Sequence, residues 1–208
     1  MNKCFFIYFL ITTSFAFAAQ ETIVEASDLT SDNITNTTQQ NNEEFTMSND
    51  TVNIGINKKN RDGVVEILNN ILANEYILYT KTLNYHWNVF GMQFHDLHEF
   101  FKDQYEKLFQ NTDDVAERVT TLGGRALGTV KEFLNLAQIK ESTTIPVAQD
   151  MIQNLLQDHE FVIQLLRNGL VEAQEKYSDA GTSNFLTDLM EKHEKLAWML
   201  RVSLKKGK

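Results

Sequence analysis

The stretch NYHWNVFGMQFHDLHEFF, residues 84–101, contains three of the chain's five histidines, and it decides the fold. Gly91 lies between two segments whose apolar residues recur at helical spacing. The stretch therefore predicts two antiparallel helices joined by a tight turn. His86 precedes the glycine and His98 follows it at a similar distance. At ~1.5 Å per residue, the two histidines are expected at nearly the same height.

Apolar periodicity along the rest of the chain predicts four long helices and one short one. The long helices are expected over residues 62–89, 94–122, 146–177 and 184–204, with Asp62 as the first N-cap. Pro146 suits the first position of the third long helix. The segment TVKEFLNLAQIK, residues 129–140, predicts a short helix between two loops. We therefore expect an all-α four-helix bundle with a short helix in the connection between the second and third long helices.

Whole-chain composition limits the function. The 208 residues suffice for one well-buried domain. The net charge of −9 disfavours a dedicated nucleic-acid binder and suits a protein that attracts cations. A single proline agrees with a nearly all-helical chain, and a single cysteine, Cys4, excludes a disulfide framework within it.

The first residues predict export. A short basic segment precedes an apolar run over residues 4–11, and residues 16–18, Ala-Phe-Ala, have the small-x-small form of a signal-peptidase site. The run is too short to span a bilayer comfortably, so residues 1–19 are interpreted as a removable signal peptide of a periplasmic protein, with no stable membrane insertion after its removal. Translation from Met47 is the alternative, and it would place the protein in the cytoplasm or nucleoid.

Residues 20–60 differ in composition from the remainder. They are rich in Asn, Thr, Gln, Ser and acidic residues, with few apolar residues and no periodicity. Such a composition is typical of a disordered polar linker. The folded domain is therefore expected over residues 61–208.

Two carboxylates of the second helix complement the two histidines. Asp113 and Glu117 are four residues apart, so they share one face of that helix. Asp113 lies about 22 Å along the axis from His98, whereas a metal–ligand bond is about 2 Å long. At ~100° per residue, however, His98 and both carboxylates fall on one side of the helix. A second copy running antiparallel across a two-fold axis would bring its carboxylates to the histidines and create two equal sites per dimer.

Two imidazoles and two carboxylates form a mixed N/O set that suits divalent iron, zinc or manganese. An open coordination position would allow redox chemistry with an oxidant. The structural alternative is that the histidines are core residues and the carboxylates an ordinary solvated face, paired with Arg118 or other residues. The chain has no Glu-x-x-His, which disfavours the intrachain di-iron site of helical bundles. His95 matches no required position and is expected in a structural or surface role.

The residues around this set resemble a known family. Residues 81–108, 113–124 and 191–204 are similar to the Dps family, the mini-ferritins called DNA-binding proteins from starved cells; the segments read KTLNYHWNVFGMQFHDLHEFFKDQYEKL, DDVAERVTTLGG and EKHEKLAWMLRVSL. The resemblance covers about residues 62–204. Its signature is His86-Trp87, His98, Asp113 and Glu117.

The resemblance implies a ferritin-like subunit, a hollow homododecamer of 23 symmetry, and ferroxidase centres at the dimer interfaces. It implies oxidation of Fe²⁺, usually by hydrogen peroxide, and storage of the ferric product, which protects against oxidative damage. His86 and His98 would then be the catalytic imidazole ligands, and Asp113 and Glu117 the carboxylate ligands from the partner. Trp87 would lie beside the centre, as a packing residue or in electron transfer.

One position departs from the family. The family usually has an acidic residue four positions after the second histidine, where this chain has Lys102, followed by Asp103. One residue turns about 100° around a helix, so Asp103 cannot take that place. A charged lysine offers no lone pair. We therefore expect one strongly held iron per centre and a weakly held second.

Two other functions are kept as alternatives. The basic segments NKKNR (57–61) and KKGK (205–208) are candidates for DNA contact, but both are short, and the acidic tract before them and export disfavour DNA binding. The alternatives to an iron-storing ferroxidase are therefore a non-enzymatic DNA-compacting particle and an exported structural shell with an impaired centre.

Overall fold

The computed structural model describes residues 52–205. This part has five α-helices and no strand: α1 Lys58–Asn88, α2 Phe94–Thr121, α3 Val130–Leu136, α4 Ala148–Glu175 and α5 Ala180–Ser203. The predicted all-α fold, with four long helices and a short one between the second and third, is confirmed. The predicted signal peptide and the predicted linker up to residue 51 lie outside the described residues.

The first helix begins earlier than its sequence indicates. The side chain of Asn57 accepts a hydrogen bond from the main-chain N–H of Asn60, so Asn57 is the N-cap and α1 begins at Lys58. The prediction of Asp62 as N-cap was wrong. Asp62 lies inside the helix, where one carboxylate oxygen is 2.8 Å from Nζ of Lys58, one turn earlier. The first turn of α1 therefore occupies residues that were predicted to be linker.

The last helix also begins before its predicted start at residue 184. Asp179 caps α5, because its Oδ1 accepts the main-chain N–H of Thr182 at 2.8 Å. The same carboxylate is almost fully buried and lies 3.3 Å from the guanidinium of Arg118 on α2. One aspartate thus ends the loop, starts α5 and joins it to α2. α4 begins at Ala148 and not at the predicted Pro146.

The long helices pack as two antiparallel hairpins, α1–α2 and α4–α5, around an apolar core. Its fully buried large side chains are aliphatic or aromatic, and include Leu68, Ile71, Leu78, Tyr85, Phe101, Leu108, Leu155, Leu166 and Leu186. The short helix α3 packs on α1, where the rings of Tyr76 and Phe133 stack with centroids 4.2 Å apart. Among the helices between residues 52 and 205, none is both long and apolar enough to cross a bilayer.

The turn between α1 and α2 positions both histidines of the opening stretch. Gly91 has φ of 103°, a conformation that residues with a Cβ rarely adopt. α1 ends at Asn88 and α2 begins at Phe94, so the connection is short. The last turn of α1 therefore faces the first turns of α2, and His86 lies opposite His98.

A polar cluster interrupts the core. Glu75 of α1, His159 of α4 and His193 of α5 have no solvent-exposed surface, and Gln104 and Asn111 of α2 are also buried. Burial lowers the pKa of His159 well below its usual value, and the charge of His193 lowers it further. His159 is therefore neutral at neutral pH.

Candidate metal centre

His86 and His98 lie face to face at the turn end of the α1–α2 hairpin. Their rings stack with centroids 3.8 Å apart and an interplanar angle of 25°. Each ring binds the backbone of the other residue: Nδ1 of His86 lies 2.7 Å from the carbonyl oxygen of His98, and Nδ1 of His98 lies 2.8 Å from that of His86. The sequence prediction that the two residues share one height is confirmed.

These reciprocal hydrogen bonds determine which ring nitrogen is free. A carbonyl oxygen only accepts, so both Nδ1 atoms carry the hydrogen and donate it. In a neutral imidazole the lone pair then resides on Nε2, and a ligand histidine is usually held by such a bond from its other nitrogen. The two histidines consequently present two oriented Nε2 lone pairs side by side.

Aromatic rings and partial burial hold the pair at the surface. The ring of Tyr105 lies 5.1 Å from that of His86, and the ring of Phe94 lies 5.1 Å from that of His98. His86 is 8% exposed and His98 is half-buried, so the rings are fixed but not sealed from a neighbouring molecule. His95 is exposed and takes no part in this arrangement.

Asp113 and Glu117 lie on the exposed face of α2, farther along the same unbroken helix. Within residues 52–205 neither carboxylate has a hydrogen bond or an ion pair. Arg118 does not pair with them, because its guanidinium binds Asp179 and Thr182, but the exposure of both carboxylates agrees with the alternative of a solvated face. Asp113 and Glu117 are therefore free acceptors on the surface.

A single subunit does not bring the four predicted ligands together. The rise of about 1.5 Å per residue still separates Asp113 from His98 by about 22 Å, since no break shortens α2. In the described part of one chain, no three His, Cys, Asp or Glu side chains are arranged to hold a metal ion. Any centre built from this set needs a second subunit.

The surface near the carboxylates is apolar. A groove of about 340 Å³ beside Asp113 is lined mostly by apolar and aromatic side chains: Leu72, Tyr76, Tyr79, Phe109, Ala116, Leu127, Val130 and Phe133. Phe109 is 60% exposed and Val130 59%. Trp87, next to the histidine pair, is 66% exposed. These fractions are large for apolar side chains, as expected of a surface that contacts another protein.

Lys102 follows His98 by one turn of α2 and is half-buried. Its ammonium group has no ion pair within residues 52–205. The neighbouring Asp103 is exposed, one residue around the helix. A permanent positive charge thus lies on the same side of α2 as His98.

Sequence reasoning missed the polar residues of the core. The sequence patterns gave no functional role to Glu75, His159 or His193. The available signal was a charged or imidazole side chain inside an otherwise apolar helical stripe. Which of these residues meet depends on how four helices pack, and no local pattern specifies that.

Comparison with known proteins assigns the family. The ferritin-like domain family matches residues 65–208. An uncharacterized low temperature-induced protein of Nostoc sp. (strain PCC 7120) is 48% identical over 151 residues, which are 72% of this chain and 84% of that protein. DNA protection during starvation protein 2 of Bacillus anthracis is 37% identical over 141 residues, 68% of this chain and 96% of that protein. The crystal structure of the Dps protein of Vibrio cholerae O1 superposes with a TM-score of 0.71 at 35% identity, covering 74% of this chain and 97% of that one.

The helical bundle and these matches define a ferritin-like protein. Within that class, the chain belongs to the Dps family, as the resemblance of its histidine hairpin implied.

Proposed function

We propose that the protein is a mini-ferritin that oxidises Fe²⁺ and stores the ferric product in a shell built from two-fold dimers. The observation that carries this proposal is the stacked pair His86 and His98, whose Nδ1–H groups are held by carbonyls while both Nε2 lone pairs are free. Membership of the Dps family, which includes a protein described as ferritin-like and diiron-carboxylate, supports it.

The proposed chemistry follows from the ligand types. His86 and His98 bind Fe²⁺ through Nε2, and the partner's Asp113 and the partner's Glu117 supply carboxylate oxygens. Anionic oxygen ligands stabilise Fe³⁺ more than Fe²⁺, because the ferric ion is smaller and more highly charged, so the set favours loss of an electron. Hydrogen peroxide accepts two electrons, one from each of two Fe²⁺ ions, and its two oxygens leave as water or hydroxide. The same ligands suit zinc or manganese.

The proposed dimer also explains the apolar surface near the carboxylates. A two-fold partner that contributes Asp113 would cover the groove lined by Phe109 and Val130. Burying such side chains favours association by about 25 cal/mol per Å² of apolar surface. We propose that dimers joined in this way build the closed dodecamer that the family resemblance implies.

Mixed assemblies test the shared centre. His98→Ala and Asp113→Ala subunits are unfolded, mixed in equal amounts and refolded together. Each mixed dimer then contains one damaged centre and one intact centre, so about one quarter of all centres should recover. Iron oxidation should return to about one quarter of the wild-type rate. A mixture as inactive as either variant alone would mean that one chain supplies all four ligands.

The same assay separates an enzyme from an inert shell. Peroxide-dependent Fe²⁺ oxidation, followed by the ferric absorbance, is expected for the wild-type assembly and not for the parental variants. A wild-type protein that assembles fully but oxidises iron no faster than buffer would favour the structural alternative.

Lys102 leads to a proposal about stoichiometry. One divalent cation balances the two carboxylates, and the nearby ammonium group disfavours a second by like-charge repulsion. We therefore propose one firmly bound iron per centre. The second iron that peroxide needs is then delivered in a separate, weaker encounter.

A further inference from the structure

The histidine pair of the proposed centre has a different aromatic neighbour on each side. The ring of Phe94 lies 5.1 Å from that of His98, and the ring of Tyr105 lies 5.1 Å from that of His86. A phenol can lose an electron together with its hydroxyl proton, whereas a phenyl ring has no such proton. Within residues 52–205, Tyr105 is the only phenol whose ring contacts either histidine.

Two further tyrosines continue from Tyr105 along the contact between α1 and α2. The ring of Tyr79 lies 6.3 Å from that of Tyr105, and the ring of Tyr76 lies 6.1 Å from that of Tyr79. Both pairs are edge-to-face, and contacting aromatic rings have centroids roughly 4.5–7 Å apart. The three tyrosines therefore form a continuous row of contacting rings that begins beside His86.

The row of tyrosines ends in the apolar groove beside Asp113. Tyr76 and Tyr79 line this groove together with Asp113. The last contact of the row is with a phenyl ring, because Tyr76 stacks on Phe133. In the proposed dimer Asp113 belongs to the other centre, so the row leads from the histidines of one centre towards a ligand of the second.

The hydroxyl groups of the row can exchange protons with water. All three tyrosines are partly exposed, and within residues 52–205 none of their hydroxyls has a hydrogen-bond partner. Burial raises the pKa of Tyr79, and the neighbouring Tyr76 and Tyr105 raise it further. Tyr79 is therefore neutral at neutral pH, so its oxidation releases a proton that the surrounding water can accept.

The proposed centre with one firmly bound iron lacks an electron for its oxidant. Hydrogen peroxide takes up two electrons, and one Fe²⁺ ion supplies one. The charge of Lys102 disfavours a second ion in the same centre. A neighbouring side chain that gives one electron would complete the reduction of peroxide without the release of a hydroxyl radical.

We propose that Tyr105 supplies this second electron and that Tyr79 and Tyr76 carry the resulting radical away from the iron. The proposal rests on the proposed ferroxidase function. Fe²⁺ and Tyr105 each give one electron to hydrogen peroxide, and its O–O bond breaks to form two hydroxide ions. One hydroxide takes the phenol proton and becomes water, which leaves Fe³⁺ and a tyrosyl radical. The next Fe²⁺ ion that binds at either centre reduces the radical, and a proton from water restores the phenol.

The test uses far fewer Fe²⁺ ions than centres, so that no second ion is available to reduce the radical. The metal-free assembly receives this iron without oxygen, is mixed with an equal amount of hydrogen peroxide, and is frozen rapidly. Electron paramagnetic resonance should show a tyrosyl radical in proportion to the Fe²⁺ oxidised, which the ferric absorbance of a parallel sample measures. Later addition of excess Fe²⁺ should remove the radical.

Three variants locate the radical. Tyr105→Phe removes only a hydroxyl group and should abolish most of the radical signal. Tyr79→Phe should leave the amount of radical unchanged but confine it to Tyr105, beside the ferric ion, so that the signal saturates only at higher microwave power. Tyr177→Phe is the matched control, because Tyr177 packs on Gly63, about 35 Å from His86 along α1, and it should behave as the wild type.

The outcomes separate this electron path from the ferroxidase function. Ferric absorbance without a tyrosyl radical, or equal radical signals in the wild type and Tyr105→Phe, overturns the path and leaves the function standing. A radical that is lost in Trp87→Phe but kept in Tyr105→Phe also overturns the path. Gel filtration establishes assembly, and if Tyr105→Phe does not assemble, unchanged saturation in Tyr79→Phe overturns the path instead. Absence of ferric absorbance in the wild type overturns the proposed function itself.

Discussion

The molecule contains two histidine pairs that use the same ring in opposite ways. His86 and His98 stack at the surface, and each Nδ1–H is held by a main-chain carbonyl. His159 and His193 meet in the core through their Nδ1 atoms, with Glu75 on the far side of His193. The Nε2 atoms of His159 and His193 are buried, whereas His98 of the surface pair is partly exposed.

The comparison shows that the hydrogen-bond partner of one imidazole nitrogen determines whether the other nitrogen of the same ring is available to bind a metal ion. A backbone carbonyl leaves a neutral imidazole with an accessible lone pair, at little cost to the fold. A buried imidazole next to a buried carboxyl group is part of the packing, and its loss leaves a buried polar group without its partner. The surface pair should therefore control activity, and the core pair stability.

The largest expected effect is on stability. His193→Leu in metal-free protein should lower the free energy of unfolding by about 3–5 kcal/mol, because it leaves the carboxyl group of Glu75 buried without its imidazole partner. His98→Leu should cost about 1 kcal/mol, the value of one hydrogen bond. Urea unfolding at a single protein concentration measures both, since assembly makes stability concentration-dependent. Similar losses in the two variants would contradict the division of roles.

The second effect is on activity. His86→Ala and His98→Ala should each reduce Fe²⁺ oxidation at least about 100-fold, because loss of even an outer partner of a metal ligand costs about 10- to 100-fold. His95→Ala is the matched control, an exposed histidine three residues from His98 on the same helix, and should retain the wild-type rate. Initial rates are compared on assemblies of equal size. If His95→Ala lost as much activity as His98→Ala, the assignment of ligands by ring orientation would be wrong.

The surface pair was accessible to sequence reasoning because its geometry is local. His86 and His98 are twelve residues apart around one glycine turn, and helical rise alone places them together. The reciprocal carbonyl bonds were not predictable, since they depend on side-chain rotamers. The core pair joins residues 34 apart, and Glu75 is 118 residues from His193, so their meeting depends on tertiary packing. The predicted starts of two helices were wrong for a related reason. The N-caps of α1 and α5 are Asn57 and Asp179, and each precedes the start that the apolar periodicity predicts.

The third effect is a pH dependence that belongs to the core pair. Burial holds the pKa of His159 below its unfolded value, so on acidification through about 6.5 the unfolded chain takes up a proton that the folded chain does not. Stability contributed by this group is complete above that range and is lost as the pH falls. The slope should approach about 1.4 kcal/mol per pH unit per subunit. Two other titratable groups lie close to His159: His193 contacts it directly, and Glu75 contacts His193. The pH dependence is therefore compared with that of metal-free His159→Gln, whose stability should fall less steeply as the pH falls. Parallel slopes would mean that His159 takes up its proton in the folded state.

The smallest effect concerns how many ions the surface pair can hold. Lys102→Glu replaces a positive charge with a carboxylate one turn from His98, so it should raise the affinity of the second metal position about tenfold, about 1.4 kcal/mol. Lys107→Glu makes the same charge change at an exposed position elsewhere around α2 and controls for the net charge of the shell. Metal titration of both assemblies measures the number of ions per centre. Equal numbers of bound ions in the Lys102→Glu and Lys107→Glu assemblies would mean that the charge at position 102 does not control the occupancy of the centre.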